Sequence, residues 1–494
     1  MTKWSLTIAL DEDSARPLAA RIADAIVRDV RRGRLAPGAA LPGSRTLADR
    51  LGVHRNTVLA AYEALRAEGW IETESARSTT VAKAMPEQAP KRLAKMGQRE
   101  QIPERPGFSL GAAPPLIERT TPDKVIALYG GMPELELFPV EAFARAHRRA
   151  LRQKRTQLLD YATPYGHPSL RTALAAMTSS LRGLAAKPEN ILVTRGSQQA
   201  LDLVARALFS DGGTIAVESM GYAPAWAAFR AAGATLVPIP VDSHGIDVSA
   251  LEALCERQMV RAVYVTPHHQ YPSTVTLSAP RRVALLALAR KHKLAVIEDD
   301  YDHEFHYEGR PVLPLASADS DGLVVYIATL SKLLAPGLRT GFLVGPAALV
   351  QHLAARRMYV DRQGDLAVEA ALAELIEDGV VARHARKARS AYLERRDALA
   401  AALEAHAGDR LQFDVTRGGM ALWAKITDAR GCDALCDAAM REGVFVQRTR
   451  LMCFDGRDRP FVRIGFAGNS PSKLREAARR LGRALGRSSG SLLL

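Results

Sequence analysis

Cysteine is scarce in this chain: 494 residues hold four, Cys255, Cys432, Cys436 and Cys453. None stands at a spacing typical of zinc sites, and Cys432 and Cys436, four apart, read as buried thiols on one helix face. So few thiols argue against a disulfide-built secreted scaffold and fit a reducing cytoplasm. Long apolar runs are missing too. Asp11, Glu12 and Asp13 arrive before any such run, so neither a signal peptide nor a membrane span is expected. Short repeats and long low-complexity tracts are also absent. What remains, 47% apolar and 24% charged residues, is the composition of a globular protein of several domains. The formal charge of +14 permits a polyanionic partner. Little of that excess precedes Glu118, so net charge does not locate a nucleic-acid site.

Three zones differ in composition. Residues 1–82 alternate helical patterns with short breaks. Residues 83–122 carry Pro86, Pro90, Pro103, Pro106, Pro114 and Pro115 among Lys91, Arg92, Lys95 and Arg99. No hydrophobic period holds there, as expected of a partly extended linker. Residues 123–494 alternate short Val/Ile runs with Ala/Leu/Arg helices, the pattern of a mostly parallel sheet with helices on both faces. A small C-terminal α+β subdomain is expected from about residue 375. The class is α/β.

In the first zone, Leu18, Ile22, Ile26 and Val30 recur every fourth residue and predict a helix over Pro17–Gly33. Ser44 can cap a second helix ending at Gly52, and His54 or Asn56 a third ending at Gly69. Runs 70–74 and 79–82 read as two strands of a wing. Three helices and a hairpin make a winged helix-turn-helix, whose third helix reads DNA. Its start offers His54, Arg55, Asn56 and Thr57 to bases and phosphates, and Arg45 offers a phosphate clamp. The plainer alternative is a small helical domain with capped ends. The stretches Leu41-Pro-Gly-Ser-Arg45-Thr-Leu-Ala48, Leu51-Gly-Val-His-Arg55-Asn-Thr-Val58, Ala61-Tyr62-Glu-Ala-Leu65 and Glu68-Gly69-Trp70 resemble the GntR-type winged helix. The resemblance implies that these residues, Tyr62 included, bind a double-stranded operator. The family wing carries Gly-x-Gly-Thr where this chain has Ser75-Ala-Arg77-Ser78-Thr79, which leaves Arg77 as the expected wing contact.

In the third zone, several strand ends carry polar clusters, and ligands bind at strand C-termini in open α/β sheets. Thr329-Leu-Ser331-Lys332 follows the apolar run Val324–Ile327, with Arg339 seven residues on. A lysine so placed can meet an aldehyde while hydroxyls and an arginine hold a phosphate; Ser-Lys alone fits any surface loop. Glu298-Asp299-Asp300-Tyr301-Asp302 ends another run, and reads equally as a metal site or helix cap. Thr194-Arg195-Gly196-Ser197-Gln198 leads into a helix whose free amides suit an anion. His268 and His269 could suggest a metal, but no third ligand stands at a sensible spacing, so none is expected.

Taken in order, these segments resemble fold-type-I aminotransferases that bind pyridoxal phosphate. Thr266-Pro-His268-His269-Gln270-Tyr271-Pro272 is closest to the MocR-type regulators, where aminotransferases generally carry Asn-Pro. The resemblance covers nearly the whole chain. It implies a Schiff base on Lys332, Asp299 (with Asp300 competing) at the pyridinium nitrogen, Tyr301 at the phenolic oxygen, and Tyr222 stacked on the ring. Gly196, Ser197, Gln198, Thr329, Ser331 and Arg339 would hold the phosphate, His269 and Tyr271 would complete the pocket, and Tyr161 would reach the neighbouring subunit's phosphate. Arg463 would fork the carboxylate of an amino-acid ligand. A cytoplasmic head-to-tail homodimer, a DNA operator and a small amine effector follow. The implied function is a transcription factor that senses an amine, an amino acid or pyridoxal phosphate; a working aminotransferase with a DNA-binding appendage is the alternative.

Overall fold

The computed structural model describes residues 16–74, 78–85, 104–110, 122, 124–153, 155–309, 311–427 and 431–486. Arg77 and most of the linker lie outside them. The chain forms two compact units, Met1–Ala113 and Pro114–Leu494, divided within the expected linker.

The first unit contains α1 (Leu18–Arg31), β1 (Ala40–Leu41), α2 (Ser44–Leu51), α3 (Arg55–Ala67), β2 (Ile71–Glu74) and β3 (Ser78–Val81). Ile22, Ile26 and Val30 bury one face of α1 against Val58, Leu65 and Trp70, while Leu18, at the frayed start, stays exposed. α2 ends at Gly52, whose φ of 65° is left-handed and suits glycine. Ser44 does not cap α2: the flanking residue is Gly43, and the Ser44 hydroxyl accepts from Arg55 Nε at 3.3 Å. His54 does cap α3, its Nδ1 accepting from the Asn56 amide at 3.2 Å. β2 and β3 pair antiparallel with Ile71 opposite Val81, and β1 adds to β3.

The second unit is built on a seven-stranded sheet. Its strands are β4 (Ile191–Thr194), β5 (Thr214–Glu218), β6 (Thr235–Ile239), β7 (Val260–Val265), β8 (Ala295–Asp300), β9 (Val324–Thr329) and β10 (Gly341–Val344). Their order is β4-β10-β9-β8-β7-β5-β6. β9, β8, β7, β5 and β6 run parallel; β10 runs against both neighbours. Burial of both sheet faces explains why these strands read as apolar runs rather than alternations. The C-terminal part packs helices Val380–Ala407 and Pro471–Gly486 beside a sheet of β11 (Leu411–Gln412), β12 (Ala421–Ile426) and β13 (Phe461–Gly465). It shares one apolar core with the strands and helices before it. Ile126–Ala127 also pairs with Val444–Phe445, so the start of the unit is laced into its end. Among the described residues no helix is long and apolar enough to cross a membrane.

Candidate functional site

On the first unit, Arg45, His54, Arg55 and Asn56 are exposed and Thr57 is half-buried. The start of α3 therefore presents polar groups outward, as a reading helix must. Tyr62 departs from its expected role as a DNA contact. It is buried among Val58, Ala61 and Leu65, and its hydroxyl donates to the Pro42 carbonyl at 2.7 Å. A tyrosine about two turns into the buried face of α3 anchors the α2 entry instead.

On the second unit, a cavity of about 450 Å³ opens at the C-terminal ends of the parallel strands. Tyr222, Tyr264, Tyr271, Asp299, Tyr301, Thr329, Lys332 and Arg463 line it. β9 delivers Lys332 directly: Thr329 ends the strand, caps the turn Leu330–Leu333 through the Ser331 amide at 3.1 Å, and leaves the lysine on the cavity side.

Period-two alternation along β8 separates the carboxylates. Glu298 turns to one face and accepts from the Leu315 and Ala316 amides at 2.7 and 2.9 Å. Asp300 shares that sense, accepting from the Tyr326 hydroxyl at 2.7 Å and standing 2.9 Å from His303 Nδ1. Asp299 alone of the three lines the cavity. Its Oδ2 accepts from the Tyr264 hydroxyl at 2.8 Å, while Oδ1 is buried without a partner. Burial lifts the Asp299 pKa to about 7, against the pull of Tyr264 and Lys332. Burial acts on Asp300 too, but His303, His268 and Arg182 outweigh it and hold that carboxyl well below the usual range. The two neighbours thus differ in kind: Asp299 faces an unfilled demand, and Asp300 is already neutralised.

At the other end of the cavity, β4 turns into the helix Gly196–Phe209. Gly196 has φ 76°, and a Cβ there would lie 3.0 Å from an Arg339 Nη2, so glycine both makes the turn and admits the guanidinium. Arg339 Nη2 donates to the Arg195 carbonyl at 3.0 Å. The Ser331 hydroxyl is buried without a partner. Gln198 does not line the cavity; its Nε2 donates to the carbonyl of Pro224, which does, at 2.9 Å.

Arg463, 1% exposed, enters from β13. Its Nη1 donates to the Pro272 carbonyl at 2.6 Å, and its guanidinium lies 5.0 Å over the Tyr271 ring. Tyr271 meets Tyr222 edge-on at 5.8 Å. The Tyr301 hydroxyl donates to the His269 carbonyl at 2.9 Å. The His269 ring does not line the cavity; its Nδ1 meets Asp302 Oδ1 at 2.8 Å behind the wall, so its expected place against the cofactor is taken by its backbone neighbourhood only. Tyr161 also lies off this cavity, 75% exposed, with Arg362 stacked 4.1 Å over its ring.

Sequence reasoning missed Tyr264, Tyr129, Gly130, Gly131, Phe445 and Gln447, all lining residues. Two signals were legible. A tyrosine in the middle of an apolar strand needs a partner for its hydroxyl, and paired glycines after Tyr129 mark close approach. A Cβ on Gly130 would sit 2.4 Å from Arg463 Nε, and one on Gly131 would be 3.8 Å from Lys332 Nζ.

The aminotransferase class I and II profile matches residues 124–481, and the profile of bacterial regulatory proteins of the gntR family matches residues 18–81. The probable rhizopine catabolism regulatory protein MocR of Rhizobium meliloti is 33% identical over 474 residues, 96% of this chain and 95% of that one. The chain belongs to the MocR-type regulators. It is thus similar to the pyridoxine biosynthesis regulator PdxR of Corynebacterium glutamicum, 30% identical over 79% of this chain and 80% of that one. The second unit is also similar to LysN, an α-aminoadipate aminotransferase of Thermus thermophilus solved with N-(5'-phosphopyridoxyl)-L-leucine. The TM-score is 0.69 and the identity 29%, over 74% of this chain and 92% of that one. This MocR-type protein is a DNA-binding transcriptional regulator with a pyridoxal phosphate fold. The cavity fits that cofactor: Asp299 Oδ1, a lining acceptor without a partner in the protein, lacks the donor that a pyridinium brings.

Proposed function

We propose that the second unit is an amine sensor that works through Lys332. Pyridoxal phosphate supplies an aldehyde that condenses reversibly with amines and a ring that draws electrons from them. In this reading Lys332 holds the aldehyde, Asp299 holds the protonated ring nitrogen, Tyr301 meets the phenolic oxygen, and Tyr222 covers the ring. The Gly196-Ser197 amides, Thr329, Ser331 and Arg339 bind the phosphate. Arg463 forks the carboxylate of an amino-acid effector. The unpartnered Asp299 carboxylate oxygen beside Lys332 carries the proposal. The protein acts in the cytoplasm as a head-to-tail dimer, in which exposed Tyr161 reaches the partner's phosphate and each linker carries one reader to one half-site.

A spectral screen of amines against purified protein, read beside operator binding at fixed salt, tests this. An effector should change both the cofactor spectrum and DNA affinity, and Lys332→Ala should abolish both responses. Repeated release of keto acid, independent of DNA, would show an aminotransferase instead.

Operator binding separates Arg45 from Tyr62. Arg45→Ala should lower affinity on all sequences and reduce the salt slope by about 1. Tyr62→Phe should leave the slope unchanged and cost the reader unit roughly 1 kcal/mol of stability through the lost Pro42 bond. A loss of operator affinity in Tyr62→Phe with the reader unit's stability unchanged would restore it as a DNA contact.

A further inference from the structure

Behind the cavity wall lies a histidine cluster that cofactor binding does not use. We propose that His268, His269 and His306 form a buried site for a borderline divalent cation of the zinc class. The donor atoms of the three rings lie within 4.8 Å of one another. The third histidine, hidden from sequence spacing by the intervening helix and strand, arrives because the loop after β8 folds back to bridge His306 to Gly418.

Each ring is prepared differently. His268 is 5% exposed and neither of its ring nitrogens has a partner. Two unsatisfied nitrogens on one buried ring are costly unless something fills the space between them and their neighbours. His269 is oriented by Asp302, 1% exposed, at 2.8 Å from Nδ1. A proton on Nδ1 leaves the lone pair on Nε2, the carboxylate–histidine arrangement that tunes metal ligands. Gly418 passes close beside that ring, where a Cβ would lie 2.3 Å from Nε2, so only glycine lets the imidazole keep this place. His306 Nε2 is buried and unpartnered, while the residue as a whole is half-buried and offers an entry path.

Water can complete the set. Neutral imidazoles without thiolates suit zinc, copper or nickel, whereas magnesium and calcium take oxygen ligands. His268 also lies near Asp300 and His303. That second trio is the weaker site, because Asp300 is already occupied by Tyr326 and His303. Zinc nitrogens in a tetrahedron are about 3.4 Å apart, so binding would draw the three rings inward. The His269 carbonyl takes the Tyr301 hydroxyl, so the ion would stiffen a wall of the cofactor cavity.

Untagged full-length protein, stripped with a chelator and dialysed against micromolar zinc, should retain about one zinc per chain by elemental analysis. Cobalt should give visible d–d bands at wavelengths beyond the cofactor's absorbance. His268→Ala and, at the more exposed position, His306→Gln should each lower zinc affinity at least about tenfold and remove the cobalt bands. Asp302→Asn should weaken binding by roughly 10–100-fold. Wild-type protein that retains no zinc, or histidine variants that retain it unchanged, would overturn the site. Neither outcome touches the amine-sensor reading, which rests on Lys332 and Asp299.

Discussion

Replacing Asp299 by Ala will weaken pyridoxal phosphate binding about 100-fold, whereas replacing Asp300 by Asn will leave that affinity nearly unchanged and lower stability. The two residues are adjacent, yet β8 sends them to opposite faces. Asp299 Oδ1 has no partner in the protein, so a pyridinium there gains a buried, charge-assisted hydrogen bond. Removing one side of such a pair costs roughly 3 kcal/mol, most of it the penalty on the group left behind. Asp300 is committed within the protein, to Tyr326 and His303, with buried Arg182 close enough to hold its pKa down. Neutralising it takes the charge away from His303 and weakens the field at buried Arg182, which keeps Glu304 as its partner, at a cost of about 3 kcal/mol. Cofactor titration followed by absorbance, and thermal unfolding of the same samples, separate the effects. Loss of cofactor affinity in Asp300→Asn with retention in Asp299→Ala would reverse the assignment.

That contrast also marks what could be read from the sequence and what could not. The strand itself was legible, because Leu294–Ile297 is apolar and ends in a polar cluster. Its register was not: the sequence left Asp299 and Asp300 in competition, and only the pleat, with Glu298 on the Leu315 amides, assigns the faces. Helix boundaries near Gly52 and Gly69 came out as expected, since glycine at positive φ stops a helix locally. Roles that depend on distant partners did not. Tyr62 belongs to Pro42, His269 to Asp302 and Gln198 to Pro224. A motif fixes the residue type, but the side chain's direction is decided by segments far along the chain. Tyr264 was missed for the same reason, because nothing near it in sequence names Asp299 as its partner.

Glu218 gives the second large effect, one that depends on pH. It ends β5 fully enclosed, its Oε2 accepting from the Thr266 hydroxyl at 2.8 Å. Burial raises its pKa from 4.5 to about 8, more than Thr266 and Gln270 can offset. Between those values the folded protein keeps a proton that the unfolded chain has released. Stability therefore falls as pH rises through this window, the reverse of a salt-bridged carboxylate. Glu298 and Asp299, each raised to about 7 by burial, slope the same way. Glu218→Gln keeps the shape and removes the titration. Relative to wild type it should be near neutral below about pH 4, where the folded and unfolded wild-type chains both hold most of the proton, and more stable by a few kcal/mol at about pH 8. Denaturant unfolding of both proteins across this range measures the difference directly. A gap between them that stays constant with pH would mean that Glu218 is already ionised in the fold, with a cation drawn in to pair it.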